Sequence, residues 1–174
     1  MNAYPIKSAS RDYRPEPFYL LQSNGAAQRL VAYFNSADAI RAVLCAFVGR
    51  GNGYLRVKLF DGKSEGDANE YEGTVSQTQL LGALDAFGDF IFHDGFHELL
   101  AMHPENGDYI AFDEHGLLFL YVTDPEVYQP LLEAQGAAYD PEGRFIYEFD
   151  HWHVRPGGAA GGMQELLRYL GLAS

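Results

Sequence analysis

The chain has 174 residues, of which 47% are hydrophobic and 14% aromatic; this excludes intrinsic disorder and allows one domain, spanning 1–174, with a real core. The formal net charge is −12, and a single cysteine, Cys45, excludes an internal disulfide and points to a reduced compartment. No apolar run reaches the roughly 18 residues of a membrane span, and MNAYPIKSASRDYRPEP has no apolar signal-peptide core, so a soluble cytoplasmic protein is expected.

Residues 1–17 contain three prolines and read as an extended N-terminal lead-in. PFYLLQ (17–22) suits a first strand, and QRLVAYF (28–34) is β-rich but compatible with a helix. Ser36 is a good cap for ADAIRAVLCAFV, where Ile40, Val43, Leu44 and Phe47 recur at helical spacing and Gly49 stops the helix. Cys45 lies in that apolar run, which favours an inert thiol over a nucleophile. A Gly51-Asn52-Gly53 turn leads into YLRVKLF (54–60), with Leu55, Val57 and Leu59 on one face and Arg56 and Lys58 on the other.

Residues 61–73 read as a polar loop. Asp61, Glu65, Gly66 and Glu72 fall at calcium-loop spacing, but Lys63 stands where an oxygen ligand is needed. Ser76 to Gln79 matches a capping box for a helix over about 77–87, ended by Gly88. FHELLAMH, DYIAFD and LLFLYVT then form an expected antiparallel meander over about 96–122, joined by Asn106-Gly107 and by Glu114-His115-Gly116. Asp124-Pro125 opens a helical segment to Gly136, and Pro130 implies that its first turn is a separate 3₁₀ piece. RFIYEFDHWHV (144–154) reads as a further long strand, 157–162 as a glycine-rich linker, and MQELLRYLGL as a closing helix. The expected fold class is α+β, with a mainly antiparallel twisted sheet and about four helices packed on it.

Charge is unevenly placed. Residues 64–143 hold seventeen Asp/Glu and no Lys or Arg, whereas residues 1–63 balance at +5 and residues 144–174 at zero. Arg29, Arg41, Arg56 and Lys58 can neutralise some of these acids; the others face water or a cationic partner. Direct nucleic-acid binding is disfavoured, since it needs clustered cations.

The histidines offer the alternative chemistry. His93, His97, His151 and His153 could hold a metal in a small metal-dependent enzyme, provided 144–154 lies beside 93–97. Gly95 and the apolar alternation from Phe96 argue for a loop-to-strand junction there, and no HExxH pattern occurs. His151 and His153 share one side of a strand, either as a metal-ligating pair or as the polar face opposite a buried Trp152. His97 and His103 share a strand face opposite Glu98 and Met102; Asp113-Glu114-His115-Gly116 reads as a turn with His115 exposed. No nucleophile motif or P-loop is present, and no cofactor is expected.

The stretch GDYIAFDEHGLLFLY (107–121), in a small acidic chain, resembles small bacterial immunity proteins of polymorphic toxin systems. That resemblance implies a cytosolic, non-catalytic protein that occludes a cationic toxin, often a nuclease; it transfers no site residues. The charge distribution independently suits a basic protein partner. Glu98, Glu105, Asp108, Asp113 and Glu114, on and beside the meander, are the acids expected to meet its cations, with Tyr109 and Tyr121 as aromatic anchors.

Overall fold

The computed structural model describes residues 6–8, 15–24, 27–62, 69–155 and 161–172. In chain order the strands are β1 (Ile6–Ser8), β2 (Phe18–Asn24), β3 (Ala27–Tyr33), β4 (Tyr54–Asp61), β5 (Asn69–Ser76), β6 (His97–Met102), β7 (Tyr109–Phe112), β8 (Leu117–Tyr121), β9 (Ala138–Tyr139) and β10 (His151–His153). The α-helices are α1 (Ala37–Val48), α2 (Gln77–Ala86), α3 (Gly88–His93), α4 (Gln129–Ala134) and α5 (Gly162–Leu170).

The fold is α+β. Eight strands form one sheet in the order β5-β4-β6-β7-β8-β3-β2-β9, and all neighbours are antiparallel except β2 and β9. β1 and β10 make a separate two-stranded antiparallel pair, with Lys7 opposite Trp152. No helix among the described residues is long and apolar enough to cross a membrane.

Alternation along the strands sorts the sheet into two faces. Leu55, Val57 and Leu59 of β4, Leu99 and Ala101 of β6, Ile110 and Phe112 of β7, and Leu118 and Leu120 of β8 enter the main core. There they meet Ile40, Val43, Leu44 and Phe47 of α1, Leu80 and Leu84 of α2, and Leu166, Leu167 and Leu170 of α5. A smaller cluster on the opposite face joins Phe18, Leu20, Val31 and Leu117 to Phe145.

The elements form for local reasons. Ser36 Oγ accepts from Ala39 N and starts α1; Ser76 Oγ accepts from Gln79 N at 3.2 Å and starts α2. Gln79 Nε2 donates to Tyr169 O on α5, which ties the start of α2 to the last helix. The turn between β6 and β7 places Gly107 at φ +78°, and that between β7 and β8 places Gly116 at φ +75°, both left-handed conformations that favour glycine. A 3₁₀ turn at Pro125–Val127 precedes α4, as Pro130 requires. Within β3, the helical alternative for 28–34 gives way to pairing with both β2 and β8.

Four expectations are corrected. The polar loop is shorter than 61–73, since Asn69–Ser76 is β5. Its poor β-propensity is offset across the ladder, where Lys58 Nζ lies 2.6 Å from Glu70 and 2.8 Å from Glu72, and Arg56 2.6 Å from Glu72. Glu65 and Gly66 of the calcium-loop spacing lie outside the described residues. Gly88 does not end the helical region: it opens α3, which buries Ile91 and Phe92, so the described residues hold five α-helices, in keeping with the about four expected. Residues 144–154 are not one strand. Glu148 Oε1 accepts from Phe145 N at 2.8 Å and closes a 3₁₀ turn over Ile146–Glu148, leaving only His151–His153 extended. Trp152 is 48% exposed rather than buried, because β10 pairs with β1 outside the main sheet.

Candidate functional site

The side of the sheet away from the helices carries a groove of about 450 Å³ over β4, β6, β7 and β8. Its floor is apolar and aromatic: Leu100, Ala111 and Phe119, with Tyr109 and Tyr121 beside them. Phe60 and Phe96 form a rim, and Glu98, Asp113, Glu114 and His115 also line it. The strand pleat explains this set. Glu98 and Leu100 alternate with the core residues Leu99 and Ala101, Tyr109 and Ala111 with Ile110 and Phe112, and Phe119 and Tyr121 with Leu118 and Leu120.

Tyr109 and Tyr121 are cross-strand partners whose rings stack 4.3 Å apart at 16°. Burial, then the Tyr121 neighbour, pushes the Tyr109 phenol up to about 12. Arg29 of β3 sits over Phe119 at 5.0 Å and Tyr121 at 5.3 Å, donates from Nη1 to the Tyr121 hydroxyl, and donates from Nε to Gln22 Oε1 at 2.8 Å. Its guanidinium is thus used on aromatic and amide groups.

Among the described residues the carboxylates lack that compensation. Partial burial raises the Glu98 pKa above the ordinary glutamate value, and the charges of Asp113 and Glu114 raise it further. Among the described residues no Lys or Arg forms an ion pair with Glu98, Asp113 or Glu114. Among the described residues of the first half, Arg41 pairs with Asp85, and Arg56 and Lys58 pair with Glu70 and Glu72.

Five of the seven residues expected to meet a partner therefore converge: Glu98, Tyr109, Asp113, Glu114 and Tyr121. Glu105 and Asp108 do not join them. They lie at the other end of the β6–β7 hairpin, in a hollow shared with Arg50, Thr123 and Tyr128. Asp108 Oδ1 accepts from Thr123 N and Oγ1, both at 2.7 Å, and Glu105 Oε1 accepts from Asn52 N at 3.3 Å.

The four-histidine set His93, His97, His151 and His153 does not assemble. His93 ends α3 and is not in a loop. His97 and His103 do share a face, opposite Glu98 and Met102, and that face is the helical core. His97 is 1% exposed and stacks on Phe90 of α3 at 4.8 Å; His103 stacks on Phe47 of α1 at 4.5 Å, with Nε2 2.9 Å from Phe47 O. Burial lowers the His97 pKa to about 4, against the weaker opposing effect of the Asp94 and Ile91 backbone. Asp94 is also buried. Its carboxylate lies 2.9 Å from Arg155 Nε, and burial holds its pKa above the usual value despite that cation. Cys45 is half-buried, and desolvation raises its thiol pKa, in keeping with an inert side chain.

His151 and His153 find a different neighbour, His115. The three ring centroids are separated by 5.1, 5.1 and 5.4 Å, and one ring nitrogen from each lies within 4.8 Å of the others. His115 is half-buried rather than exposed, although its segment is the expected turn: Asp113 Oδ1 accepts from His115 N at 3.0 Å and Leu117 N at 2.8 Å. Asp113 Oδ2 also meets His115 Nδ1 at 3.1 Å, which raises the imidazole pKa against the opposing effect of burial. Nothing in residue spacing joins position 115 to 151 and 153. The meeting depends on β10 docking beside the β6 approach, where Gly95 N donates to Val154 O at 3.0 Å. Sequence reasoning also passed over Phe60, Leu100 and Phe119 as groove residues, although their alternation with core positions was visible.

No family model, curated protein or solved structure matches this chain.

Proposed function

We propose that this chain is a non-enzymatic recognition module that binds a basic protein through the groove over β6, β7 and β8, acting as a bacterial immunity protein against a cationic toxin. The observation that carries the reading is the convergence of Glu98, Asp113 and Glu114, without a Lys or Arg ion-pair partner among the described residues, on a floor containing the stacked Tyr109 and Tyr121. A Lys or Arg side chain entering there would relieve the carboxylate repulsion that raises Glu98, and its aliphatic stem would cover Leu100 and Phe119. The cation-free stretch 64–143 extends the same potential over a wider surface, which favours fast, salt-sensitive association. The likeness of residues 107–121 to immunity proteins supplies the biological setting, and that segment contains most of the groove's acids and both tyrosines.

The test is affinity capture from the native host on the immobilised chain, comparing wild type with a Glu98→Gln/Glu114→Gln double variant. The expected result is a basic protein retained by wild type at low salt, released by raised salt and not retained by the variant. Equal retention by both proteins would contradict the reading.

A further inference from the structure

His115, His151 and His153 come from separate parts of the fold, the turn between β7 and β8 and the small β1–β10 sheet. Each imidazole has its Nδ1 against an oxygen: Asp113 Oδ2 at 3.1 Å for His115, Phe149 O at 2.8 Å for His151, and Gly95 O at 2.6 Å for His153. A carbonyl oxygen can only accept, so Nδ1 of His151 and His153 carries the proton, and the Asp113 carboxylate selects the same tautomer for His115. The Nε2 lone pairs are then the free ones on all three rings. Holding a ligating imidazole by its other nitrogen against a carboxylate or backbone carbonyl is how metal sites orient their histidines.

We propose that His115, His151 and His153 form a binding site for a divalent transition-metal ion of the zinc class. Three neutral imidazoles are a borderline nitrogen donor set suited to zinc, and among the described residues no thiolate or dense carboxylate cage joins them, which separates the set from sites for copper(I) or calcium. A tetrahedral zinc ion needs its nitrogens about 3.3 Å apart, and one nitrogen of each half-buried ring already lies within 4.8 Å of the other two. The charge setting favours the ion, since Asp113 contacts one ligand and Glu114 adjoins it in sequence. Three protein ligands leave one coordination position open. His115 also lines the groove, so the ion would sit at the groove's end.

The experiment is calorimetric titration of the metal-free full chain with zinc chloride, with cobalt(II) absorption as a report of tetrahedral geometry. One ion per chain is expected, with affinity falling at least a hundredfold in His115→Ala, His151→Ala and His153→Ala and unchanged in His93→Ala. Asp113→Asn, which keeps an acceptor oxygen for the turn, should weaken binding about tenfold. In wild-type protein, imidazole ¹⁵N resonances provide a measurement that needs no variant: zinc should shift Nε2 of these three histidines. Absence of saturable binding, binding unchanged in all three alanine variants, or shifts confined to other histidines would overturn the site. The outcome is independent of protein capture, so loss of this site leaves the groove's reading standing.

Discussion

Tyr109 and Tyr121 lie directly opposite each other on β7 and β8 and stack at 4.3 Å, and Arg29 ties the Tyr121 hydroxyl to β3. The pair is thus held rigid before any partner arrives, which lowers the entropy lost on binding. Replacing either ring with Ala is expected to weaken partner binding at least tenfold, about 1.4 kcal/mol, mainly through faster dissociation. Tyr121→Phe keeps the stack and should cost less. Surface plasmon resonance with the captured partner measures both rates; unchanged dissociation in the two alanine variants would remove these tyrosines from the interface.

His97 makes stability depend on pH. Its folded pKa of about 4 lies below the ordinary 6.5, so between those values the unfolded chain takes up a proton that the folded chain does not. Stability is therefore lost as pH falls from about 6.5 to about 4, by roughly 3 kcal/mol at one 1.36 kcal/mol step per pKa unit. Arg155 works in the same direction as burial. His97→Leu should lose this part of the acid sensitivity, as measured by urea unfolding at a series of pH values. Parallel pH profiles for wild type and variant would refute it.

Arg155 links three groups: Asp94 at 2.9 Å, Asp61 at 3.3 Å and the Phe96 ring at 5.0 Å. Arg155→Ala leaves the buried Asp94 carboxylate without its cation, a loss of about 3 kcal/mol at neutral pH. The Asp94 pKa, already raised by burial, rises further in that variant, so the folded form holds its proton where the unfolded form has released it. The deficit should accordingly be larger at pH 7 than at pH 4. A deficit independent of pH would mean that the lost Phe96 packing, rather than the charge, sets the cost.

Gly51 admits no side chain, since a Cβ there would run into the His103 ring, which is 3% exposed and fixed between Phe47 O and the Phe47 ring. Gly51→Ala should destabilise by about 1–3 kcal/mol through overpacking. Gly53, with open space around it but φ +98°, should be strained for a conformational reason instead. Chemical denaturation of the two alanine variants, with and without a second His103→Ala change, separates these causes: only the Gly51 variant should be rescued.

The parts of the fold governed by short-range rules were readable in the sequence. The Ser36 cap, the period-two pattern of Leu55, Val57 and Leu59, the Asn106-Gly107 turn and the proline split before α4 each act within a few residues. β5 was not readable, because its acids are tolerated only by Lys58 and Arg56 on the neighbouring strand. Phe145 to His153 carries a strand-like pattern, yet Glu148 turns the backbone first. The same distinction holds at the two sites. Glu98, Tyr109, Asp113, Glu114 and Tyr121 sit on consecutive parts of one meander, so their shared groove followed from local order. Glu105 and Asp108 separated from them because the hairpin's length puts its tip at the far end. His115 meets His151 and His153 only after β10 docks through Gly95, a long-range event that spacing does not encode.

The most direct test of the groove is its footprint. Backbone amide perturbations of the labelled chain, on titration with the captured basic protein, are expected at Glu98, Leu100, Tyr109, Glu114 and Tyr121, with the α1 and α5 amides unmoved. Perturbations confined to α1, α2 and α5, with the β6–β8 face unchanged, would contradict the account.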